Sequence, residues 1–366
     1  MRTVQVSSQG FDKGNAASKS FAFNSCVDQS SDQSAFFNQS GLKHLLHEAL
    51  NGYSACVFAY GQTGSGKTYT VSGVDDVIAS DGYKSDERDG LIPRAMDYLF
   101  KEIQKDNRQN YKVRAECYEI YNEQVLDLLN PGPQLQIREN KDQGFFVENL
   151  LVVEVGSLDD VREVFTEATK NRRTGSHELN KDSSRSHSVM VVHLDCETVD
   201  PATNEPMTHF GKISFVDLAG SERLKESKSS GDAIKETGNI NRSLFTLGKV
   251  IAALDSGEAF VPYRDSKLTK LLMDSLGGGC LTLMVACCSP AAAHLDETLS
   301  TLHYASRAKN IKNTPVLQID ARVRALVDMR REVQRLRAEN KWLRTNAGIP
   351  LDAPLRLGGS SNGLPG

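Results

Sequence analysis

The chain has 366 residues, of which 39% are apolar and 25% charged. That balance excludes wholesale disorder, collagen-like and all-coiled-coil architectures, and the length suits one large domain or two smaller ones, each able to bury a core. Lys and Arg total 43 against 47 Asp and Glu, a net charge of −4, so no global basic excess points to nucleic acid and a polyanionic partner has to meet a local patch.

The seven cysteines form no Cys-x-x-Cys pair and have no His at metal-ligand spacing. They read as small buried side chains in a reducing compartment. The polar start lacks the apolar core of a signal peptide, and no apolar run approaches the roughly 18 residues that cross a bilayer. The expectation is a soluble, cytoplasmic protein.

Apolar spacing at Leu42, Leu45, Leu46, Ala49 and Leu50 predicts a helix. Residues 55–60 (ACVFAY) are apolar on both parities, as in strands buried on both faces, and 189–196, 212–218 and 281–288 read the same way. Ile240, Leu244, Leu247, Val250, Ile251 and Leu254 predict a second helix. Strands alternating with helices imply an α/β sandwich. The Gly- and Asp-rich stretches 72–90 and 197–208 read as surface loops, and the Gly-, Pro- and Ser-rich end, 346–366, as a flexible tail.

Gly61-Gln62-Thr63-Gly64-Ser65-Gly66-Lys67-Thr68 fits GxxxxGK[ST] directly after the strand 55–60. Glycines let backbone N–H groups turn inward around phosphate oxygens, and the helix that follows aims its positive end at the same point. Lys67 suits the β- and γ-phosphates and Thr68 suits Mg²⁺. Alone, this loop implies only a nucleoside-triphosphate binder. Asp217-Leu218-Ala219-Gly220-Ser221-Glu222 closes another strand, where an Asp can hold Mg²⁺ through water and Gly220 can bring its N–H to a γ-phosphate. Asn180-Lys181-Asp182-Ser183-Ser184-Arg185-Ser186-His187 offers adjacent hydroxyls for metal and phosphate, and Arg185 can pair with an acid.

In this order the three segments resemble the phosphate loop, switch I and switch II of the kinesin motor domain. YEIYNEQVLDLL (118–129), NINRSL (239–244), PYRDSKLT (262–269), DSLGG (274–278) and ETLSTL (297–302) agree, and the similarity covers about residues 2–319. The resemblance implies an α/β P-loop NTPase fold of the kinesin-motor type. A central, mostly parallel or mixed sheet has helices on both faces and is followed by a neck helix. It further implies hydrolysis of ATP with Mg²⁺, and movement on microtubules driven by loss of the γ-phosphate. The implied organisation is a motor domain at 1–311, a neck linker at 312–319, a neck helix at 320–345 and a tail at 346–366.

By the same resemblance Ser184 completes the Mg²⁺ shell with Thr68 and, through water, Asp217. Ser183 sits beside the attacking water, Gly220 senses the γ-phosphate, and Arg185 and Glu222 form the ion pair that closes over it. Tyr69 contacts the base. Glu222→Ala is expected to trap ATP with little turnover. Tubulin is acidic, and the expected cationic face comprises Arg223, Lys225, Lys228, Lys235, Arg242, Arg264, Lys267 and Lys270. Gly238 stands where many members carry Lys, and Glu148 and Glu154 lie near another usual contact region, so weaker tubulin affinity is expected.

The family usually begins with a strand ending in an RxRP-like motif that packs on adenine, and this sequence shows no such segment. Residues 1–9 match instead the small hairpin strand that follows it, and 20–24 the segment before the first helix. An alternative start, an incomplete gene model and a compensating divergent form are all compatible with this. A non-motile microtubule-binding protein with impaired ATP turnover is therefore the alternative to an active motor; an unrelated P-loop NTPase has only the phosphate loop in its favour. A linker placed after the motor core implies plus-end-directed movement. Beyond Pro315, Leu326, Val333 and Asn340 fit a positions and Met329, Leu336 and Leu343 fit d positions, the pattern of a two-stranded parallel homodimer.

Overall fold

The computed structural model describes residues 2–7, 18–80, 82–105, 110–140, 144–178, 183–199, 206–222 and 232–348. It divides into two compact units, 1–318 and 319–366.

The first unit opens with a hairpin of β1 (Thr3–Ser7) and β2 (Ser18–Ala22). Helices α1 (Gln33–Gln39) and α2 (Leu42–Leu50) lead into β3 (Ser54–Tyr60), in which every residue is buried. Its parity splits the core. Ala55, Val57 and Ala59 face one apolar cluster with Leu42, Leu46, Leu91, Met96 and Leu99. Cys56, Phe58 and Tyr60 face a second cluster with Leu247, Val250, Ile251, Leu268 and Leu272. Helices therefore cover both faces of the sheet, as the continuous apolar run of β3 requires. The short helices α3 (Lys67–Val71) and α4 (Asp75–Ile78) precede α5 (Leu91–Lys105), whose buried stripe includes Leu91, Ala95 and Leu99. Helix α4 corrects the expectation that 72–90 is all loop. Ile78 is fully buried, and Asp75 and Asp76 sit in the first turn, where acidic groups favour a helix start.

Strands β4 (Asn110–Tyr121) and β5 (Gln124–Asp127) are joined by Asn122 and Glu123, both at positive φ (51° and 57°), a tight hairpin turn. A second small hairpin pairs β6 (Ile137–Asn140) with β7 (Gly144–Val147), and the two-residue β8 (Val153–Glu154) pairs with β4. Helix α6 (Leu158–Glu178) precedes β9 (Ser186–Val199) and β10 (Pro206–Asp217). These two strands run beyond the expected 189–196 and 212–218, pairing Val199 with Pro206 and Glu197 with Thr208. Of the expected loop 197–208, residues 200–205 lie outside the described set. Helices α7 (Asp232–Ser256) and α8 (Lys267–Leu271), strand β11 (Leu281–Ala286) and helix α9 (Leu295–Ala308) complete the core.

The sheet order is β11-β3-β10-β9-β4-β5. It is mixed. The pairs β11·β3 and β3·β10 are parallel, and the rest are antiparallel. Among the described residues no strand pairs with the outer edge of β11. Each of its residues is only half-buried, and a groove of about 640 Å³ runs beside it.

Residues 313–318 close the first unit as an extended segment hydrogen-bonded to its core. The Thr314 and Val316 N–H groups donate to Gly278 O and Gly279 O, and the Gln318 N–H donates to Gly52 O. The Asn313 side chain accepts from the Gly277 N–H and donates to Ser275 O and Cys280 O. In the second unit α10 (Ala321–Asn346) is a long helix on which Leu326, Met329, Val333, Leu336 and Leu343 are exposed. All seven cysteines are free, and among the described residues no helix is long and apolar enough to cross a membrane.

Candidate functional site

Strand geometry brings the three motif segments to one sheet end. The phosphate loop leaves the C-terminal end of β3, and the register pairs Ala59 with Asp217, so the parallel strand β10 releases its acid at the same level. Strand β9 is antiparallel to β10 and pairs Ser188 with Asp217, which puts the segment entering β9 there too. Ligands of open α/β sheets bind at such carboxyl ends.

Gly66 holds φ 95° at the start of α3, a conformation that side chains resist, and turns the loop into the helix. Lys67 is buried, and its Nζ donates to Gln62 O at 2.9 Å. Burial pushes its pKa down, and Asp217 and Glu222 oppose that shift. Thr68 Oγ1 donates to Asp217 Oδ2 at 2.7 Å. The other carboxylate oxygen of Asp217, Oδ1, is buried and has no hydrogen-bond partner among the described residues. A hydroxyl and an acid joined at a buried, under-satisfied oxygen form the hard oxygen donor set that suits Mg²⁺ and its waters.

Behind Asp217 stands Arg172 of α6, buried, with Nη1 3.3 Å from Asp217 Oδ2 and Nε 3.9 Å from Glu119 Oε1. Burial works against the guanidinium charge, but Asp217, Glu119 and Asp75 outweigh it and raise its pKa. Removing one member of such a buried set would leave a charge unpaired, which is costly.

The segment after β10 is stitched to both neighbours. The Gly220 N–H donates to Ser184 O at 2.7 Å, and the Ser221 N–H donates to Gly61 O at 3.0 Å. A Cβ at Gly220 would meet Thr63 Oγ1 and the Glu222 carboxylate, so a side chain there would displace the contact between them. The Thr63 N–H donates to Glu222 Oε2 at 2.7 Å, and its hydroxyl donates to Oε1. The Gly220 N–H is held by Ser184. Glu222 is held by Thr63, which presents two donors to it. Ser184 and Arg185 end a 3₁₀ turn (Ser183–Arg185) that enters β9, and both are half-buried. The Ser183 side chain and residues 180–182 lie outside the described set.

His187, the second residue of β9, is 2% exposed. Its Nδ1 accepts from the Ala219 N–H at 2.9 Å, and its Nε2 lies 2.8 Å from Ser243 Oγ of α7. Tyr69 is 47% exposed on the wall of an open groove of about 930 Å³, while its carbonyl accepts from the Gln33 side chain at 2.6 Å.

Of the expected cationic face, Arg223, Lys225 and Lys228 and the Lys235 side chain lie outside the described set. Arg242, Arg264, Lys267 and Lys270 fall on α7, α8 and the turn between them, a packed unit. Arg242 Nε donates to Asp265 O, and Arg264 pairs with Glu139 at 2.7 Å. Glu123, in the hairpin turn, caps α8 by accepting from Ser266 Oγ and the Lys267 N–H, both at 2.9 Å. Burial pushes the Lys267 pKa down, and Glu123 opposes it. Glu148 and Glu154 are paired with Arg138 and Lys112 (2.9 and 2.8 Å), so neither is an uncompensated acid. Arg172 and Glu123 had no assigned role in the sequence. Nothing local marks a charged residue as buried beside Asp217, or a turn acid as a cap for a helix 144 positions on.

Residues 2–311 match the kinesin motor domain family. The chain is 43% identical over 340 residues to the human kinesin-like protein KIF13B, covering 88% of this chain and 18% of that protein. It is 41% identical over 336 residues to kinesin-like protein KIN-12D of Arabidopsis thaliana (88% and 12%) and 41% identical over 327 residues to human chromosome-associated kinesin KIF4A (87% and 26%). It thus spans 12–26% of the length of these relatives. A solved structure of a fast kinesin superposes with a TM-score of 0.77 at 38% identity, over 87% of this chain and 86% of that one. A match of that breadth, on a sheet whose end gathers all three motif segments, makes this chain a member of the kinesin motor-domain family.

Proposed function

We propose that the chain is an ATP-driven microtubule motor, a microtubule-stimulated ATPase working on the cytoplasmic microtubule cytoskeleton. The observation that carries this is the double stitching of one segment: Gly220 to Ser184 on one side and Ser221 to Gly61 on the other. A terminal phosphate at this sheet end competes for the same backbone donors, so its arrival and departure redistribute both links.

Gly61, Gln62, Thr63, Gly64, Ser65, Gly66, Lys67 and Thr68 hold the phosphates, and Tyr69 offers an aromatic face to the base. Thr68 and Ser184, with Asp217 through water, hold Mg²⁺, which when bound neutralises charge on the transferring phosphoryl group. Ser183 orients the attacking water. Glu222 leaves Thr63 for Arg185 as the site closes. Arg172 orients the Asp217 carboxylate. Residues 312–319 act as a docking linker after the core, which favours plus-end-directed movement. The exposed apolar stripe of α10, with Asn340 at an a position, pairs two chains in parallel.

Steady-state ATP hydrolysis with and without polymerised tubulin tests the proposal. Turnover is expected to rise at least about tenfold on microtubules, and Glu222→Ala is expected to lose most of it while retaining bound ATP. Equal turnover with and without microtubules would contradict it.

A further inference from the structure

We propose that His187 is a positioning residue that carries the state of the phosphate-sensing segment to helix α7, by holding Ala219 on one ring nitrogen and Ser243 on the other. The inference rests on the motor function proposed above. A backbone N–H can only donate, so the Ala219 N–H makes Nδ1 an acceptor. The ring proton therefore sits on Nε2, which donates to Ser243 Oγ. Burial, with Arg172 and Lys67 nearby, keeps the ring neutral, as this arrangement requires.

The placement matters because of what lies on each side. Ala219 immediately precedes Gly220, whose N–H is the link to Ser184. Ser243 immediately follows Arg242, whose guanidinium holds the carbonyl of Asp265 at the entrance to α8. One rigid, fully enclosed imidazole thus touches the segment that faces phosphate and the helix that carries the cationic surface. A displacement of Ala219 reaches α7 through one planar ring, with no soft torsion between the two hydrogen bonds.

The test compares wild type with Ser243→Ala, Ser243→Thr and His187→Asn. Asn places an acceptor near the Nδ1 position and so keeps the Ala219 link alone. The readout is the ratio of microtubule dissociation constants in ADP and in a non-hydrolysable ATP analogue, measured by cosedimentation, beside KM for ATP without microtubules. Ser243→Ala should keep KM within about twofold and lower the ratio by about fivefold or more. Ser243→Thr, which keeps the hydroxyl, should restore most of it, and His187→Asn should match Ser243→Ala. An unchanged ratio in Ser243→Ala, or a ratio that falls only in step with KM, overturns the inference. If Ser243→Ala fails to fold, His187→Asn decides by the same ratio. A wild-type ratio near one removes the proposed function and this inference with it; a large wild-type ratio that every variant keeps removes only the inference.

Discussion

His187 also sets a pH response. Burial pushes its pKa from 6.5 to about 3, helped by Arg172 and Lys67. The unfolded chain therefore takes up a proton near pH 6.5 that the folded chain refuses. The stability contributed by the neutral ring is whole above pH 6.5 and is lost as the pH falls toward 3. The limiting slope is about 1.4 kcal/mol per pH unit. Denaturant unfolding of wild type and His187→Asn between pH 7 and 5.5 checks this. Wild type should lose stability more steeply, since the other histidines are common to both proteins. Parallel slopes would contradict a buried neutral ring. At this scale the contiguous motifs showed which segments to look for, and the loop at 61–68, Asp217 and Gly220 do meet at one sheet end. Arg172 was not legible, because burial of a guanidinium behind Asp217 depends on α6 packing against the sheet. The partners of Gly220 and Glu222 were not legible either, since motif spacing names the residues but not the donors each will find.

At the level of elements, the apolar runs located β3, β9, β10 and β11 to within a few residues. Their ends were missed where paired strands continue past the core, because β9 and β10 are held at 197–199 and 206–208 by each other rather than by burial. Strand β11 reads like β3 in sequence yet is half-buried throughout. Periodicity reports what a strand can bury, and neighbours decide what it does bury. The extended segment after α9 has no apolar pattern to announce it. It is held by backbone donors and by Asn313, whose side chain serves Gly277, Ser275 and Cys280 at once. Asn313→Ala removes these bonds together and should weaken docking of the segment by about 1–3 kcal/mol. Hydrogen exchange at the Thr314 and Val316 amides reads this directly. Their protection should fall while that of β3 amides stays, and unchanged protection would mean the backbone bonds suffice.

For the whole molecule, the topology converts distant sequence into one site. Residues near 61, 184 and 220 meet because β3 and β10 are parallel and β9 is antiparallel to them. The motif order announced this through its resemblance to a family, whereas the strand order could not be derived from the residues alone. A second face lies on the same frame, since α7 packs on the sheet through Leu247, Val250 and Ile251 and its Arg242 reaches Asp265 beside α8. The central claim is that events at the phosphate end are turned into movement at that face. The most direct measurement is a gliding assay, with the chain anchored by its C-terminal end and polarity-marked microtubules supplied with ATP or ADP. Continuous gliding in ATP, with the minus end leading and no movement in ADP, is the predicted result. Microtubules that bind the anchored chain yet stay still in ATP, while ATP is consumed or not, would contradict it.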